Sequence, residues 1–238
     1  PDWRRTDRSD PRLNGPTESG PCAMRSITDL PPPAAMARFP AGFGPRFLLT
    51  VDTEEEFDWN APFRRGGHGL DHVPHLRKFQ HFCDGHGVAP VYLIDHPIAT
   101  SPAAIEILRE AVRDGRAEIG AQLHPWVNPP FTEDLCDFNS FSGNLPPQLE
   151  HGKFRVLHDC IAGAMGAKPL IYRAGRYGLG PHTATILRRA GIAVDSSVRA
   201  RFDYTSAGGV NYRHHPAHPY WADDERTLLE LPLTTVFS

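Results

Sequence analysis

From Arg46 onward, short apolar runs rich in β-branched and aromatic residues alternate with segments whose apolar residues recur at helical spacing. The runs predict strands over 46–52 (RFLLTVD), 89–95 (APVYLID), 117–123 (AEIGAQL), 170–174 (LIYRA), 192–198 (IAVDSSV) and 227–235 (TLLELPLTT). Between them, helices are predicted over 71–87, from a Ser101 cap and Pro102 through 115, around 149–165, and over 182–191. Gly87 and Gly115 supply stops. Strands alternating with helices indicate an α/β fold, either a parallel sheet or a barrel with helices outside. In such folds reactive groups gather at the C-terminal ends of the strands.

Residues 1–45 lack this periodicity and are rich in Pro, Arg, Ser and Asp, which predicts a largely disordered leader. The catalytic unit is therefore expected over 46–238. A long loop with Pro129, Pro130, Pro146 and Pro147 follows the third strand, and 204–221 reads as irregular.

Composition narrows the partners. A formal net charge of -3 over 238 residues offers no broad basic field for nucleic acid. No apolar run approaches the roughly 18 residues of a membrane span. The four cysteines, Cys22, Cys83, Cys136 and Cys160, are widely spaced, form no CxxC pair, and read as free thiols of a reducing, cytoplasmic compartment.

The chemistry begins where the first strand ends. Asp52, Glu54, Glu55, Glu56 and Asp58 crowd seven positions, so their mutual repulsion requires either screening by water or a cation. In extended chain, Asp52 and Glu54 point to one face and Thr53 and Glu55 to the other, although a single bulge would exchange Glu54 and Glu55. Two converging carboxylates suit a divalent ion, or one ligand beside one general base. The third strand repeats the spacing with Gln122 and His124, followed by Trp126. Arg173 ends the fourth strand, where its rigid guanidinium can pair with a carboxylate.

Tyr177 and Trp126 are candidates for stacking on a sugar ring. Gly175 and Gly178 would let backbone amides approach a ligand. Asp195 is placed to contact Arg173 or to cap a turn. His72, His75, His81 and His86 share a helix with a watered polar face. His214, His215 and His218 lie in a proline-rich segment expected to be an exposed loop rather than a metal site.

Five segments together resemble the motifs of the polysaccharide deacetylases with the NodB homology fold, carbohydrate esterase family four: TVDTEEEFDW, EIGAQLHPW, YRAGRYG, AVDSS and LELPLTT, in that order. The resemblance implies a distorted (β/α) barrel and a metal-dependent hydrolase that removes N-acetyl or related groups from a carbohydrate. It implies a divalent ion, zinc foremost, and assigns Asp52 as general base, Arg173 as its orienting partner, and Glu54, His124 and Gln122 as the metal set. Trp126, Arg176, Tyr177 and Asp95 are expected to face the substrate, with a backbone amide near Arg176 and Tyr177 opposite the oxyanion.

Two positions depart from the family pattern. Gln122 stands where a second histidine is expected, so the site would bind metal weakly, take a harder ion, recruit Asp95 or His96, or be empty. The histidine that protonates the leaving amine lies beyond the fifth motif in the family, and this chain ends at Ser238; the barrel is thus expected to be incomplete at its C-terminus. The alternative function is a carbohydrate-binding relative without a competent metal site.

Overall fold

The computed structural model describes residues 26–235. Five parallel strands, β1 (Thr50–Thr53), β2 (Val91–Ile94), β3 (Glu118–Leu123), β4 (Ile171–Ala174) and β5 (Val194–Asp195), lie side by side in sequence order. Beyond β5 come β7 (Leu229–Glu230), also parallel, and then β6 (Tyr220–Trp221), antiparallel to β7. The order is β1-β2-β3-β4-β5-β7-β6, a sheet that does not close on itself. This is the α/β architecture of a distorted, open barrel.

Parallel strands buried on both faces read as continuous apolar runs, and β2 is the plainest case, with all four residues buried. Its alternation divides the core. Tyr92 and Ile94 join Ala121, Leu123 and Tyr172 under the helices, where Leu108, Leu157, Ile161 and Leu187 pack. Each such aliphatic side chain contributes roughly 1.5–3 kcal/mol on burial. Val91 and Leu93 turn to the other face and meet Ile171 and Val194. There the walls are close: a Cβ on Gly120 would stand 2.4 Å from Leu93 Cδ2 and 2.9 Å from the Ile171 carbonyl.

The helices are α1 (Leu76–Gly85), α2 (His96–Thr100), α3 (Pro102–Arg113), α4 (Pro147–Met165) and α5 (Thr183–Ala190). Ser101 caps α3, accepting from the Ala104 amide at 3.4 Å, with Pro102 in the first turn. Gly166 and Gly191 end α4 and α5 in left-handed conformations.

Three strands are shorter than their apolar runs. The first begins only at Thr50, with Phe47 and Leu48 left largely in solvent. The fifth stops at Asp195 because side chains replace the ladder: the Ala174 amide donates to Ser197 Oγ and the Val198 amide to Glu230 Oε1. The last ends at Glu230, just before the Leu231–Pro232 step.

The leader also differs from its reading where the structure describes it. Residues 26–39 lie against the β6 edge, with Ile27 buried, Met36 bridged to Tyr220 and the Ala37 amide donating to the Pro219 carbonyl at 2.9 Å. The histidine segment supplies part of the counter-surface, with His214 and His218 exposed as expected. His215 is buried there, and His218 Nε2 is 3.0 Å from the Ala37 carbonyl. Residues 1–25 of the leader, and Cys22 with them, lie outside the described residues. Among the described residues Cys83, Cys136 and Cys160 are free, and no helix is long and apolar enough to cross a membrane.

Candidate active site

Two contacts at the C-terminal edge of the sheet join residues far apart in sequence. Arg173, buried on β4, donates through Nη1 to Asp52 Oδ1 on β1. Its other donors are taken by Thr50 Oγ1 at 2.9 Å, the Ser196 carbonyl at 2.9 Å and Ser196 Oγ at 3.2 Å. The guanidinium is thus held between β1 and Ser196, just beyond β5, and Asp52 receives its charge with a fixed orientation. Asp52 itself remains accessible to solvent.

The second contact is centred on His124, just beyond β3 and buried. Its Nδ1 lies 2.9 Å from Glu55 Oε2 and its Nε2 3.3 Å from Glu54 Oε2. Glu55 is fully enclosed, and its other oxygen accepts from Trp126 Nε1 at 2.6 Å. Asp95 completes the floor. Its Oδ2 accepts the Glu55 amide at 2.9 Å, its Oδ1 accepts the Ile98 amide at 2.9 Å as the cap of α2, and Oδ2 lies 4.0 Å from His124 Nδ1.

The electrostatics follow from this packing. Burial works to raise the Glu55 carboxyl, but the charge of His124 and hydrogen bonds with Asp95, His124 and Trp126 overcome it and bring it to about 2. Burial, together with the neighbouring Glu55, raises Asp95 well above the carboxylate range. Burial alone would lower His124; Glu55 and Glu54 instead raise it well above its usual value. The ring thus lies between two carboxylates, with Nδ1 against Glu55 and Nε2 against Glu54.

Strand alternation predicted Glu54 inward and Glu55 outward, and both reach His124. The reason is that β1 ends at Thr53, so the period of two no longer applies at 54 and 55. Among the described residues, Glu55, Asp95 and His124 form the one group of at least three His, Cys, Asp or Glu side chains whose ligand atoms lie within 4.8 Å of one another. The oxygens of Glu55 and Asp95 are already committed to internal donors, whereas Glu54 is partly exposed and meets the other nitrogen of the ring. Gln122, on β3 two residues before His124, is buried, and its Oε1 has no hydrogen-bond partner.

The groups expected to face a substrate are placed differently. Trp126 is 1% exposed and stacks on the His124 ring, with centroids 4.4 Å apart, so it supports the site from behind and offers no face to a sugar. Asp95 is likewise sealed. Arg176 donates to Ser140 Oγ and lies over the Phe141 ring at 4.3 Å. Arg176 and Tyr177 both take positive φ, 53° and 60°, conformations that side-chain-bearing residues adopt at a cost. Burial and then the charge of Asp52 raise the Tyr177 phenol.

Two site features escaped the sequence reading. A Cβ on Gly175 would stand 2.4 Å from His124 Cδ2, so this glycine seats the imidazole rather than a ligand. Lys153 on α4, fully buried, donates to the carbonyls of Pro125 at 2.9 Å and Asn128 at 2.6 Å and pins the loop that carries Trp126. Asp195, in register with Tyr172, is not among the hydrogen-bond partners of Arg173 and instead accepts from Ser197 Oγ two residues on, as a turn cap would.

No family model matches the sequence, and neither does any curated protein. Solved structures do match. A protein from Mycobacterium smegmatis assigned as a polysaccharide deacetylase is 19% identical, with 87% of this chain aligned to 64% of that one at a TM-score of 0.51. A protein from Pseudomonas aeruginosa PAO1 with the same assignment is 15% identical, over 79% of this chain and 61% of that one at 0.44. A family 4 acetyl xylan esterase from Clostridium thermocellum, in complex with cobalt, is 15% identical over 66% of this chain and 60% of that one at 0.40. The chain spans a little under two thirds of the length of the Mycobacterium smegmatis protein, and the fold they share is that of the polysaccharide deacetylases.

Proposed function

We propose that this chain is a metal-dependent hydrolase that removes an N-acetyl or related acyl group from a carbohydrate. The observation that carries the reading is the meeting of Glu54 and His124 Nε2, 3.3 Å apart, at the same edge of the sheet as the Asp52–Arg173 pair. Glu54, His124 and the unpartnered Gln122 oxygen would hold the ion, with zinc the first choice and a harder ion favoured by the amide ligand. When bound, it would polarise the acyl carbonyl and acidify water.

The chain's own groups supply the base, its alignment and the positioning of the ring. Asp52 accepts a proton through the oxygen that Arg173 leaves free, and Arg173 keeps that carboxylate aimed. Glu55 holds the Nδ1 proton of His124, which directs Nε2 toward the open side. The backbone amide at Arg176 or Tyr177 is the donor assigned to the oxyanion.

The alternative, a carbohydrate-binding relative without a competent metal site, draws support from His124 itself, whose two ring nitrogens already meet Glu55 and Glu54. Metal analysis of purified protein, with amine release from N-acetylated sugars before and after chelation, separates the two. Metal-free protein with no chelator-sensitive release refutes the hydrolase.

A further inference from the structure

Around the Asp52 edge of the sheet, Arg173 meets Asp52, and Arg176 Nη1 lies 3.4 Å from Asp137 Oδ1. Arg199, just beyond the Ser196–Val198 segment, differs: among the described residues it forms no ion pair, and its one side-chain hydrogen bond runs from Nη1 to Tyr204 Oη at 3.1 Å. It is nonetheless half-buried and held in place. Its guanidinium carbon is 3.7 Å from the Phe202 ring centroid and 5.5 Å from that of Tyr177. These rings are fixed in turn. The Arg201 amide donates to the Tyr212 carbonyl at 2.9 Å, the Tyr212 amide to the Phe202 carbonyl at 2.8 Å and the Tyr204 amide to the Val210 carbonyl at 3.0 Å, which closes a hairpin over 201–212. Tyr212 Oη donates to the Tyr177 carbonyl at 2.6 Å and ties that hairpin to the Arg176–Tyr177 turn. The Tyr177 phenol lies within the fields of both Asp52 and Arg199, so this guanidinium stands one ring away from the proposed base.

We infer that Arg199 receives an oxyanion carried by the substrate, so that the site takes an acylated sugar bearing a carboxylate, phosphate or sulfate in preference to a neutral one; the inference rests on the function proposed above. Nη1 is committed to Tyr204, which leaves the Nε–Nη2 edge, a side of the fork that can grip two oxygens of one anion together. A half-buried charge without a counterion is unfavourable, and an arriving anion relieves it. The neighbouring acids act in the opposite sense. Asp52 and Glu54 both reach solvent and repel an anion, so without a dedicated cation the site would select neutral sugars. Stacking on Phe202 and the bond to Tyr204 also preset the guanidinium, so little side-chain freedom is lost when the anion binds.

The test is calorimetric binding of N-acetylglucosamine, its 6-phosphate, its 6-sulfate and the matching 6-carboxylate to the wild type, Arg199→Gln and Arg199→Lys. Arg189→Gln, at an exposed position of α5, controls for net charge, and circular dichroism verifies folding. The wild type and Arg189→Gln should bind at least one charged sugar about tenfold more tightly than the neutral one. Arg199→Gln should lose that preference, and Arg199→Lys, which keeps the charge without the fork, should retain part of it. The sugar preferred identifies the anion. The inference is overturned if the wild type binds no charged sugar better than the neutral one, or if Arg199→Gln keeps the preference. Amine release from the same samples reports separately on the reaction. A preference that follows Arg199 without release keeps the anion site and removes the hydrolase; release without a preference does the reverse.

Discussion

Glu55 holds His124 from behind, Oε2 to Nδ1 at 2.9 Å, and so leaves Nε2 facing Glu54. On the proposed function the neighbouring acids take different roles, Glu55 orienting the ring and Glu54 joining it as a ligand. Glu55→Gln should weaken zinc binding about 10- to 100-fold, the usual effect of losing an orienting partner. Glu54→Gln should weaken it more, because a ligand is lost. Competition titration with a chromophoric chelator measures both. The reverse order would place the ion in the buried Glu55–Asp95–His124 set.

Gly175 provides a steric test of the same site. Its substitution by Ala would bring Cβ to 2.4 Å from His124 Cδ2 and 2.5 Å from the Leu123 carbonyl, contacts that a packed core cannot hold. The imidazole must move, so Gly175→Ala should lose metal affinity along with about 1–3 kcal/mol of stability. Chemical denaturation and the same titration give the two readouts. A variant with unchanged affinity would show that the ring's present seat does not matter for binding.

What the sequence disclosed was local pattern. The β2 run, the Ser101–Pro102 start of α3 and the glycine stops after α1 and α3 all follow from one-dimensional signals, and the structure repeats them with Gly87 and Gly115 at positive φ. The contact of Glu55 with His124 was hidden for a physical reason: strand alternation applies only within the ladder, and the ladder ends at Thr53. Trp126 was equally opaque, since an indole next to a histidine has the same spacing whether it faces solvent or supports a buried carboxylate. The placing of residues 26–39 depended on a partner nearly two hundred positions away, around Pro219 and Tyr220, and no local composition reports such a contact.

Glu150 in the first turn of α4 carries a pH signature independent of the site. It is buried and accepts from Thr183 Oγ1, and burial raises its carboxyl from 4.5 to about 7. A folded-state value above the unfolded one means that the stabilising proton is fully held below about 4.5 and is lost as pH rises to about 7. Glu150→Gln removes that titration. Its stability relative to the wild type should therefore improve between pH 5 and pH 8, by at most about 3 kcal/mol. Urea unfolding at both values measures this, and parallel curves would count against a buried protonated carboxyl.

The same reasoning applies with more consequence to Asp195 and Glu230, register partners on β5 and β7 and both fully buried. Asp195 Oδ1 accepts from Ser197 Oγ and Glu230 Oε1 from the Val198 amide at 3.0 Å, while Asp195 Oδ2 and Glu230 Oε2 have no hydrogen-bond partner. Two buried carboxyls so placed share a proton, because ionising both would leave adjacent charges without water. Burial and then the Asp195 charge raise Glu230 well above its usual value; Arg173 opposes the shift, and Tyr172, Tyr212 and Tyr220 are the phenols that feel the pair. A raised folded-state value means stability is complete at acid pH and falls as the proton is lost on the alkaline side. Glu230→Gln supplies an N–H that needs no proton, so its melting temperature should vary less from pH 6 to 10 than that of the wild type. The Ser196–Val198 segment anchored by this pair also holds Arg173, through Ser196, so alkaline loss of the proton should loosen the Arg173–Asp52 contact as well. Equal slopes of melting temperature against pH in the two proteins would show that no proton is shared.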